Sequence, residues 1–177
     1  MIDIGGGSLE LGIGMDEEPD VAISLNLGAG RITRDLLPGD PPSAEDVKRA
    51  RKFVRAEIAA AARPIIKHPD ANRVVGTSKT LRSLARICGA APSKEGDYVT
   101  RILERECLTA EMDRLASMTV AQRAKLSGVS AARAPQLLGG AIVAEAAMDI
   151  LGVDSLEICP WAMREGMILR LLDHLDD

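Results

Sequence analysis

The chain opens with alternating apolar positions on either side of three consecutive glycines. The alternating residues are Ile2, Ile4, Leu9, Leu11 and Ile13. A period of two is typical of β-strands, and Gly-Gly is a favoured pair for a two-residue hairpin turn because glycine readily takes positive φ. A turn at Gly6 and Gly7 brings the apolar residues to one face. The pattern therefore predicts a β-hairpin with one buried face.

The same register places two acidic residues together on the other face. With Gly6 and Gly7 at the turn, Asp3 faces Glu10 across the ladder. Directly opposed side chains have Cβ atoms about 5 Å apart, and like charges there are destabilising unless something compensates them. A divalent cation would do so, while the glycine amides can bind an anion. Two alternatives stay open: a phosphate–metal site, or a plain hairpin whose acids are solvated.

The segment after the hairpin predicts one more strand and two helices. Residues 21–27 alternate again, and we expect them to pair with the hairpin as the third strand of an antiparallel unit. A short helix is expected over 31–37. Ser43 begins a long helix, with Asp46 at the capping-box position and apolar residues at the 3.6 period. Pro64 should kink or end that helix.

The stretch "NRVVGTSKTLRSLARICG" predicts a strand, a turn and a helix. The strand covers 73–75, the turn is Gly76-Thr77-Ser78, and the helix runs to residue 87. A Gly/Ser/Thr turn at a helix N-terminus is suited to phosphate binding. Helix capping by Thr77 or Ser78 explains the same residues without any ligand.

The remaining chain predicts a helical insertion, a long helix, a last strand and a last helix. They lie at about 90–130, 135–151, 155–159 and 162–175. Gly139 and Gly140 fall inside the long helix, where each costs about 1 kcal/mol relative to Ala. The close approach of a neighbouring backbone or of a ligand would explain that cost.

Composition narrows the function classes further. The chain has 177 residues, which suits one domain, and its net charge of −4 argues against a general nucleic-acid binder. No apolar run approaches the roughly 20 residues of a membrane helix, and no signal peptide is visible. We interpret Cys88, Cys107 and Cys159 as reduced thiols of a cytoplasmic protein.

Five stretches resemble the exopolyphosphatase/guanosine pentaphosphate phosphohydrolase family of the actin-like ATPase superfamily. They are "DIGGGSLELGIG", "SLNLGAGRITRDLL", "VVGTSKTLRSLA", "RAPQLLGGAIVAEAAM" and "ICPWAMREGMIL", in the family's order along the chain. The first resembles the family's second phosphate motif. The implied fold is an actin-like (ribonuclease H-like) α/β lobe. Its mixed five-stranded sheet, in the order β-β-β-α-β-α-β-α, carries helices on both faces and a helical insertion.

The resemblance also implies an activity and a set of site residues. The family hydrolyses the terminal phosphoanhydride of inorganic polyphosphate or guanosine pentaphosphate with Mg²⁺. By position, Asp3 and Glu10 are the catalytic pair, which would hold the metal or orient water. The implied phosphate-binding residues are Gly5, Gly6, Gly7, Ser8, Arg31, Gly76, Thr77 and Ser78. Arg31 is equally explained as a structural ion-pair partner.

The resemblance covers only the second of the family's two lobes. We expect a single domain over 1–177 that lacks the first lobe and its general-base glutamate, and that is inactive alone. In "GTSKT" the family's usual extra glycine is replaced, which weakens the case for close phosphate approach there. We expect the first lobe and a second copy of the chain as partners. The alternatives are a non-catalytic lobe that senses polyphosphate, a guanosine alarmone or ATP, and, ranked lower, a sugar-kinase-like lobe.

Overall fold

A computed structural model describes residues 1–15, 18–68, 71–161 and 163–173. Its strands are β1 (Ile2–Ile4), β2 (Leu9–Ile13), β3 (Val21–Leu25), β4 (Val75–Gly76), β5 (Ile102–Glu104) and β6 (Ser155–Ile158). Its helices are α1 (Ala29–Leu36), α2 (Ala44–Ala61), α3 (Arg63–Ile66), α4 (Lys79–Ile87), α5 (Arg105–Ser117), α6 (Val120–Arg123), α7 (Leu137–Ile150) and α8 (Met163–Asp173). Short 3₁₀ turns occur at Ser93–Glu95 and Ala134–Gln136.

The strands form one mixed sheet in the order β3-β2-β1-β4-β6-β5. The pairs β1–β2, β2–β3 and β5–β6 are antiparallel, whereas β1–β4 and β4–β6 are parallel. The carboxyl ends of β1, β4 and β6 therefore meet at one edge of the sheet. The predicted α/β class and the predicted antiparallel unit of the hairpin with β3 are confirmed.

The sheet has six strands, so the prediction of five was wrong. The additional strand, β5, lies inside the predicted helical insertion at 90–130 and pairs with β6 at the sheet edge. It is only three residues long, and Leu103 alone of the three is fully buried. So short a segment shows no period in the sequence, and only its pairing with β6 defines it as a strand.

Local signals in the sequence place most helix ends. The Ser43 hydroxyl accepts a hydrogen bond from the Asp46 amide at 3.1 Å and caps α2. Pro64 lies in the first turn of α3, directly after α2 ends, as predicted. Gly89 follows α4 with a φ of +92°, a conformation that favours glycine at a helix C-terminus. Residues 162, 174 and 175 of the predicted last helix lie outside the described residues.

Helix α7 is the centre of the helical layer and is buried along most of its length. It contacts α1, α2, α4 and α5, and it packs against β1. A Cβ atom on Gly140 would lie 2.3 Å from Thr80 Cγ2, and one on Gly139 would lie 2.5 Å from the Ala29 carbonyl oxygen. Close packing of α7 on α1 and α4 therefore explains the two glycines.

Helix α8 stands apart from this layer, because no described element packs extensively against it. Its exposed apolar side chains are Met167, Ile168, Leu169, Leu171 and Leu172. These side chains form an exposed apolar surface on α8. Among the described residues, no helix combines the length and the apolar character needed to cross a bilayer.

Two of the three cysteines form a disulfide, so the prediction of reduced thiols was wrong for Cys88 and Cys107. Their Cα atoms are 5.9 Å apart, within the normal disulfide range. Cys88 follows α4 and Cys107 lies in the first turn of α5. The two helix ends meet because β5 returns the chain to the sheet beside β6. The sequence separation of 19 residues gave no sign of this approach.

The disulfide should stabilise the fold by closing a loop of 19 residues. In the chain-entropy account such a closure contributes about 3 kcal/mol to the free energy of unfolding. For a chain of this size, that loss corresponds to a decrease in Tm of roughly 6–12 °C. We expect this decrease in Cys88→Ser and in dithiothreitol-treated protein, measured by circular dichroism. Cys159→Ser is the control and should keep the original Tm. An unchanged Tm after reduction would contradict the account.

Candidate active site

The opening glycines form the turn of a β-hairpin in the predicted register. The Gly5 amide donates a hydrogen bond to the Ser8 carbonyl oxygen at 2.9 Å. Asp3 lies opposite Glu10, and Ile4 opposite Leu9. Because the apolar side chains enter the core, the two carboxylates share the other face of the sheet, where both are partly exposed.

The first turn of α1 holds the hairpin from one side. The Ala29 amide donates to the Gly5 carbonyl oxygen at 2.9 Å, and the Arg31 amide donates to that of Gly6 at 3.0 Å. The Arg31 side chain donates from Nε to the Gly7 carbonyl oxygen at 3.2 Å. All three glycine carbonyls are therefore occupied by α1.

The hairpin amides remain available. In the described part of the chain, the amides of Gly6 and Gly7 have no hydrogen-bond acceptor, and both residues are exposed. Adjacent backbone amides without partners can form a concave site for an anion. Arg31 adds a positive charge beside them, and only its Nε is engaged by a described acceptor. The arrangement can hold a phosphate group.

Gly28 allows this close contact between α1 and the hairpin. A Cβ atom at Gly28 would lie 2.3 Å from both the Gly7 carbonyl carbon and the Ser8 amide nitrogen. Any side chain there would push the hairpin away from α1. Sequence reasoning did not single out Gly28 as a contact of the hairpin. Its signal was the short "LGAG" run that follows β3.

Each carboxylate of the acidic pair has one hydroxyl neighbour. Thr77 donates from Oγ1 to Asp3 Oδ2 at 2.8 Å. Ser24, on β3, donates from Oγ to Glu10 Oε1 at 3.1 Å. An ionised carboxylate has about four acceptor positions, so most of this capacity stays open to water or a cation. Sequence reasoning missed Ser24, although alternation along β3 places it on the acidic face.

The three residues of the predicted Gly76-Thr77-Ser78 turn make different contacts. Thr77 reaches the acidic pair, as described. The Ser78 hydroxyl accepts from the Leu81 amide at 3.1 Å and caps α4. Gly76 is buried in β4, and its carbonyl oxygen accepts from the Cys159 amide at 2.9 Å. Phosphate binding by Gly76 and Ser78 therefore stays a prediction.

Gln136 is a further neighbour of the hairpin that sequence reasoning did not single out. Its Oε1 atom would lie 3.1 Å from a Cβ atom built on Gly30 and 3.9 Å from one built on Gly6. The side chain is partly buried at the end of the 3₁₀ turn that precedes α7. The side-chain oxygen of Gln136 therefore lies close to Gly30 of α1 and to Gly6 of the hairpin turn.

The acidic pair fits a magnesium ion only with additional ligands. Within the described ranges, no group of three or more His, Cys, Asp or Glu side chains could hold a metal. Mg²⁺ usually keeps several waters and binds through one or two carboxylates together with substrate phosphates. Asp3 and Glu10 supply two hard oxygen donors beside the glycine amides, and this pairing suits a metal that arrives with a phosphate.

Comparison with known proteins places the chain in a family. The family described as "Ppx/GppA phosphatase family" matches residues 1–175. Exopolyphosphatase 1 of Mycobacterium tuberculosis is 51% identical over 176 residues, which are 99% of this chain and 51% of that protein. The Guanosine-5'-triphosphate,3'-diphosphate pyrophosphatase of Pseudoalteromonas atlantica is 26% identical over 179 residues, covering 99% of this chain and 33% of that protein.

A solved structure agrees with the sequence comparison. The crystal structure of the Aquifex aeolicus member of the Ppx/GppA family superposes with a TM-score of 0.82 at 25% identity, covering 99% of this chain and 56% of that one. The chain spans about half the length of the exopolyphosphatase that it matches. On the match over residues 1–175 and the 51% identity, the chain belongs to the Ppx/GppA phosphatase family.

Proposed function

We propose that the chain is the second lobe of a phosphoanhydride hydrolase that releases terminal phosphate from inorganic polyphosphate or guanosine pentaphosphate with Mg²⁺. The observation that carries this proposal is the hairpin itself. The unpaired amides of Gly6 and Gly7 lie in the same turn that is flanked by the facing carboxylates of Asp3 and Glu10. Anion donors and cation ligands thus occur side by side, as phosphoryl transfer requires.

Different residues of the hairpin would bind the phosphate and hold the metal or the attacking water. The amides of Gly6 and Gly7 and the Ser8 hydroxyl would hold the oxygens of the terminal phosphate, with the Arg31 guanidinium nearby. Asp3 and Glu10 would hold Mg²⁺ or orient the attacking water. Bound there, the metal would neutralise phosphate oxygens and align the reacting groups.

Thr77 has a positioning role in this proposal. Its hydroxyl donates to Asp3 Oδ2 and so leaves Oδ1 of that carboxylate without a hydrogen-bond donor in the described structure. The hydroxyl of Ser24 does the same for Glu10 through Oε1. Both hydroxyls limit the rotation of the acids without neutralising their charge.

The chain alone should hydrolyse these substrates slowly. It matches about half of the length of its exopolyphosphatase relative. Phosphoryl transfer depends on positioning and on electrostatic stabilisation, and one wall of a cleft supplies little of either. A general base on the first lobe would raise the rate by a factor of about 10²–10⁴.

The acidic pair gives the test of this function. We expect phosphate release from polyphosphate or guanosine pentaphosphate, with Mg²⁺, only when the chain is joined to the first lobe of a relative. In that longer protein, Asp3→Ala or Glu10→Ala should lower kcat by at least about 100-fold, the scale of lost acid–base or metal-ligand function. Phosphate release is measured with a colorimetric assay.

The control for this test is Asp35→Ala. Asp35 is an exposed acid on α1 that pairs only with its neighbour Arg34 in the described structure. This variant should keep full activity in the longer protein. Rapid turnover by the 177-residue chain alone, or unchanged turnover in Asp3→Ala, would contradict the proposal.

A non-catalytic binding lobe is the alternative function. The proposed anion site at the hairpin uses only residues of this chain, whereas the proposed general base belongs to the first lobe. Tight phosphate binding without turnover in the longer protein would favour that alternative.

Helix α8 supplies the surface for the proposed partners. Its exposed apolar side chains have no extensive cover in the described structure. A contiguous exposed apolar surface usually marks an interaction site. We propose that it packs against the first lobe, and that a second copy of the chain covers it when that lobe is missing.

Self-association of the isolated chain tests this surface. We expect sedimentation velocity to show a dimer whose fraction rises with concentration. The double variant Ile168→Glu/Leu172→Glu places two charges one turn apart on α8 and should be monomeric, because burying them without partners is costly. Lys52→Glu, an exposed change on α2, should leave the dimer intact. A strict monomer of the unmodified chain at high concentration would contradict the prediction.

We further propose that the protein acts in the cytoplasm. The Cys88–Cys107 disulfide argues in the opposite direction, because disulfides are rare in reducing compartments. The redox state of this cysteine pair in cells tests the assignment. It is measured after the thiols have been trapped with a thiol-blocking reagent. A predominantly oxidised pair would contradict the cytoplasmic assignment.

A further inference from the structure

The Cys88–Cys107 disulfide connects two helix ends of opposite polarity. Cys88 is the residue at which α4 ends, and it packs against the hydrophobic core. Cys107 is the third residue of α5 and lies in its first turn. Both cysteines are partly exposed, and the neighbouring residues Gly89 and Glu106 are exposed. The pair therefore lies at the border between the core and the surface, where reagents in solution can approach it.

The first turn of α5 favours a thiolate at Cys107 in the reduced protein. Side chains of a helix lean toward its N-terminus, which is the positive end of the macrodipole. The N-cap residue, Glu104, makes no side-chain cap hydrogen bond to the amides of this turn. Cysteines at helix N-termini are the ones whose thiolate is stabilised and reacts. Cys107 therefore has the position of an attacking thiol.

The end of α4 has the opposite effect on Cys88. The last carbonyl oxygens of a helix form the negative end of its macrodipole, so a thiolate there is disfavoured. The Cys88 amide donates back to the carbonyl oxygens of Leu84 and Arg86, which keeps the residue within the last turn of α4. Its packing against the core limits approach to its sulfur atom. Cys88 is therefore suited to react second, with a sulfur atom already bound at Cys107.

The charged groups beside Cys107 decide which reagents can react there. Glu104 and Glu106 are exposed acids on either side of Arg105. The Arg105 guanidinium is already engaged by Asp149 at 2.8 Å and by Asp154 at 2.6 Å. The two acids oppose a negatively charged reagent. An uncharged disulfide avoids this repulsion and is the suitable probe.

The surrounding structure holds the two cysteines close to each other without the disulfide. Helices α4 and α5 both contact α7, and β5 is paired with β6. The loop between α4 and β5 is organised by Arg101, which is only 9% exposed. Its guanidinium donates at 2.8–2.9 Å to the carbonyl oxygens of Ala91, Pro92, Gly96 and Val99. Because these contacts use no sulfur atom, the reduced thiols stay near each other and can close again.

We propose that Cys88 and Cys107 form a reversible thiol–disulfide couple, in which Cys107 is the thiol that exchanges with disulfides in solution and Cys88 is the resolving thiol. The proposal gives the chain a modification site on the α4–α5 junction. It does not depend on the proposed hydrolase function, because neither cysteine contacts the hairpin residues.

The exchange balances with one external disulfide as the oxidant. The Cys107 thiolate attacks one sulfur atom of the external disulfide, whose S–S bond breaks and releases one thiolate, which takes up a proton. Cys107 then carries a mixed disulfide. The Cys88 thiol loses its proton and attacks Cys107 Sγ, which expels the second external thiolate. Two protein thiols are oxidised to one disulfide, and one external disulfide is reduced to two thiols.

The order of reaction is tested with two matched variants that each keep one cysteine of the pair. Cys88→Ser/Cys159→Ser retains Cys107, and Cys107→Ser/Cys159→Ser retains Cys88. Each is mixed with the uncharged hydroxyethyl disulfide at neutral pH, and the mixed disulfide is followed by mass spectrometry of the intact chain. Circular dichroism verifies that both variants are folded. We expect Cys107 to react about threefold faster, from the opposite effects of the two helix ends on the thiolate. Equal rates, or a faster Cys88, would overturn the proposal.

The reduction of the unmodified chain provides a test that needs no variant to fold. Dithiothreitol is added with and without urea below the unfolding transition, and new thiols are counted after alkylation. We expect the reduction rate to be the same in both conditions, because a couple that exchanges in the folded state needs no unfolding. Hydroxyethyl disulfide should then restore the disulfide and leave no mixed disulfide on the chain. A reduction rate that rises steeply with urea would show a purely structural disulfide and overturn the proposal.

Cys159→Ser is the control for this reduction. Cys159 is the free cysteine of the described structure and is partly exposed. The variant should be reduced and reoxidised at the rates of the unmodified chain. Slower reoxidation of Cys159→Ser would make Cys159 the exchanging thiol and overturn the assignment of Cys107.

Discussion

The rest of the site depends on the contact between the first turn of α1 and the glycine hairpin. Two backbone amides of α1 and the side chain of Arg31 take up the carbonyl oxygens of the three glycines. Once the carbonyls point toward α1, the exposed amides of Gly6 and Gly7 have no acceptor within the part of the chain that the structure describes. Gly28 permits the approach, and Gly139 fixes α1 in turn against the buried helix α7. A bulkier residue at Gly28 would push the hairpin away from α1.

The parallel strands add a second element of organisation. They bring the hairpin and Thr77 to one edge, while the helical layer packs around α7. The Thr77 hydroxyl and the carboxylates of Asp3 and Glu10 therefore meet, although they come from distant parts of the chain. Helix α8 lies outside that layer with its apolar side chains uncovered.

Local patterns allowed the hairpin and most helix ends to be predicted from the sequence. The period of two around Gly6 and Gly7 gave the register that opposes Asp3 to Glu10. The Ser43 cap depends on residues a few positions apart, so its signal is present in the amino-acid sequence. For the same reason the cost of Gly139 and Gly140 was visible, but not which neighbour required them.

The sequence by itself determined the α/β class, the hairpin register and the acidic pair, because each arises from contacts between nearby residues. The tertiary structure alone decided that β5 is a strand and that Cys88 meets Cys107. These features depend on which distant segments come together and on how polar groups are satisfied after packing. Neither the hydrophobic period nor the residue spacing indicates which distant segments come together.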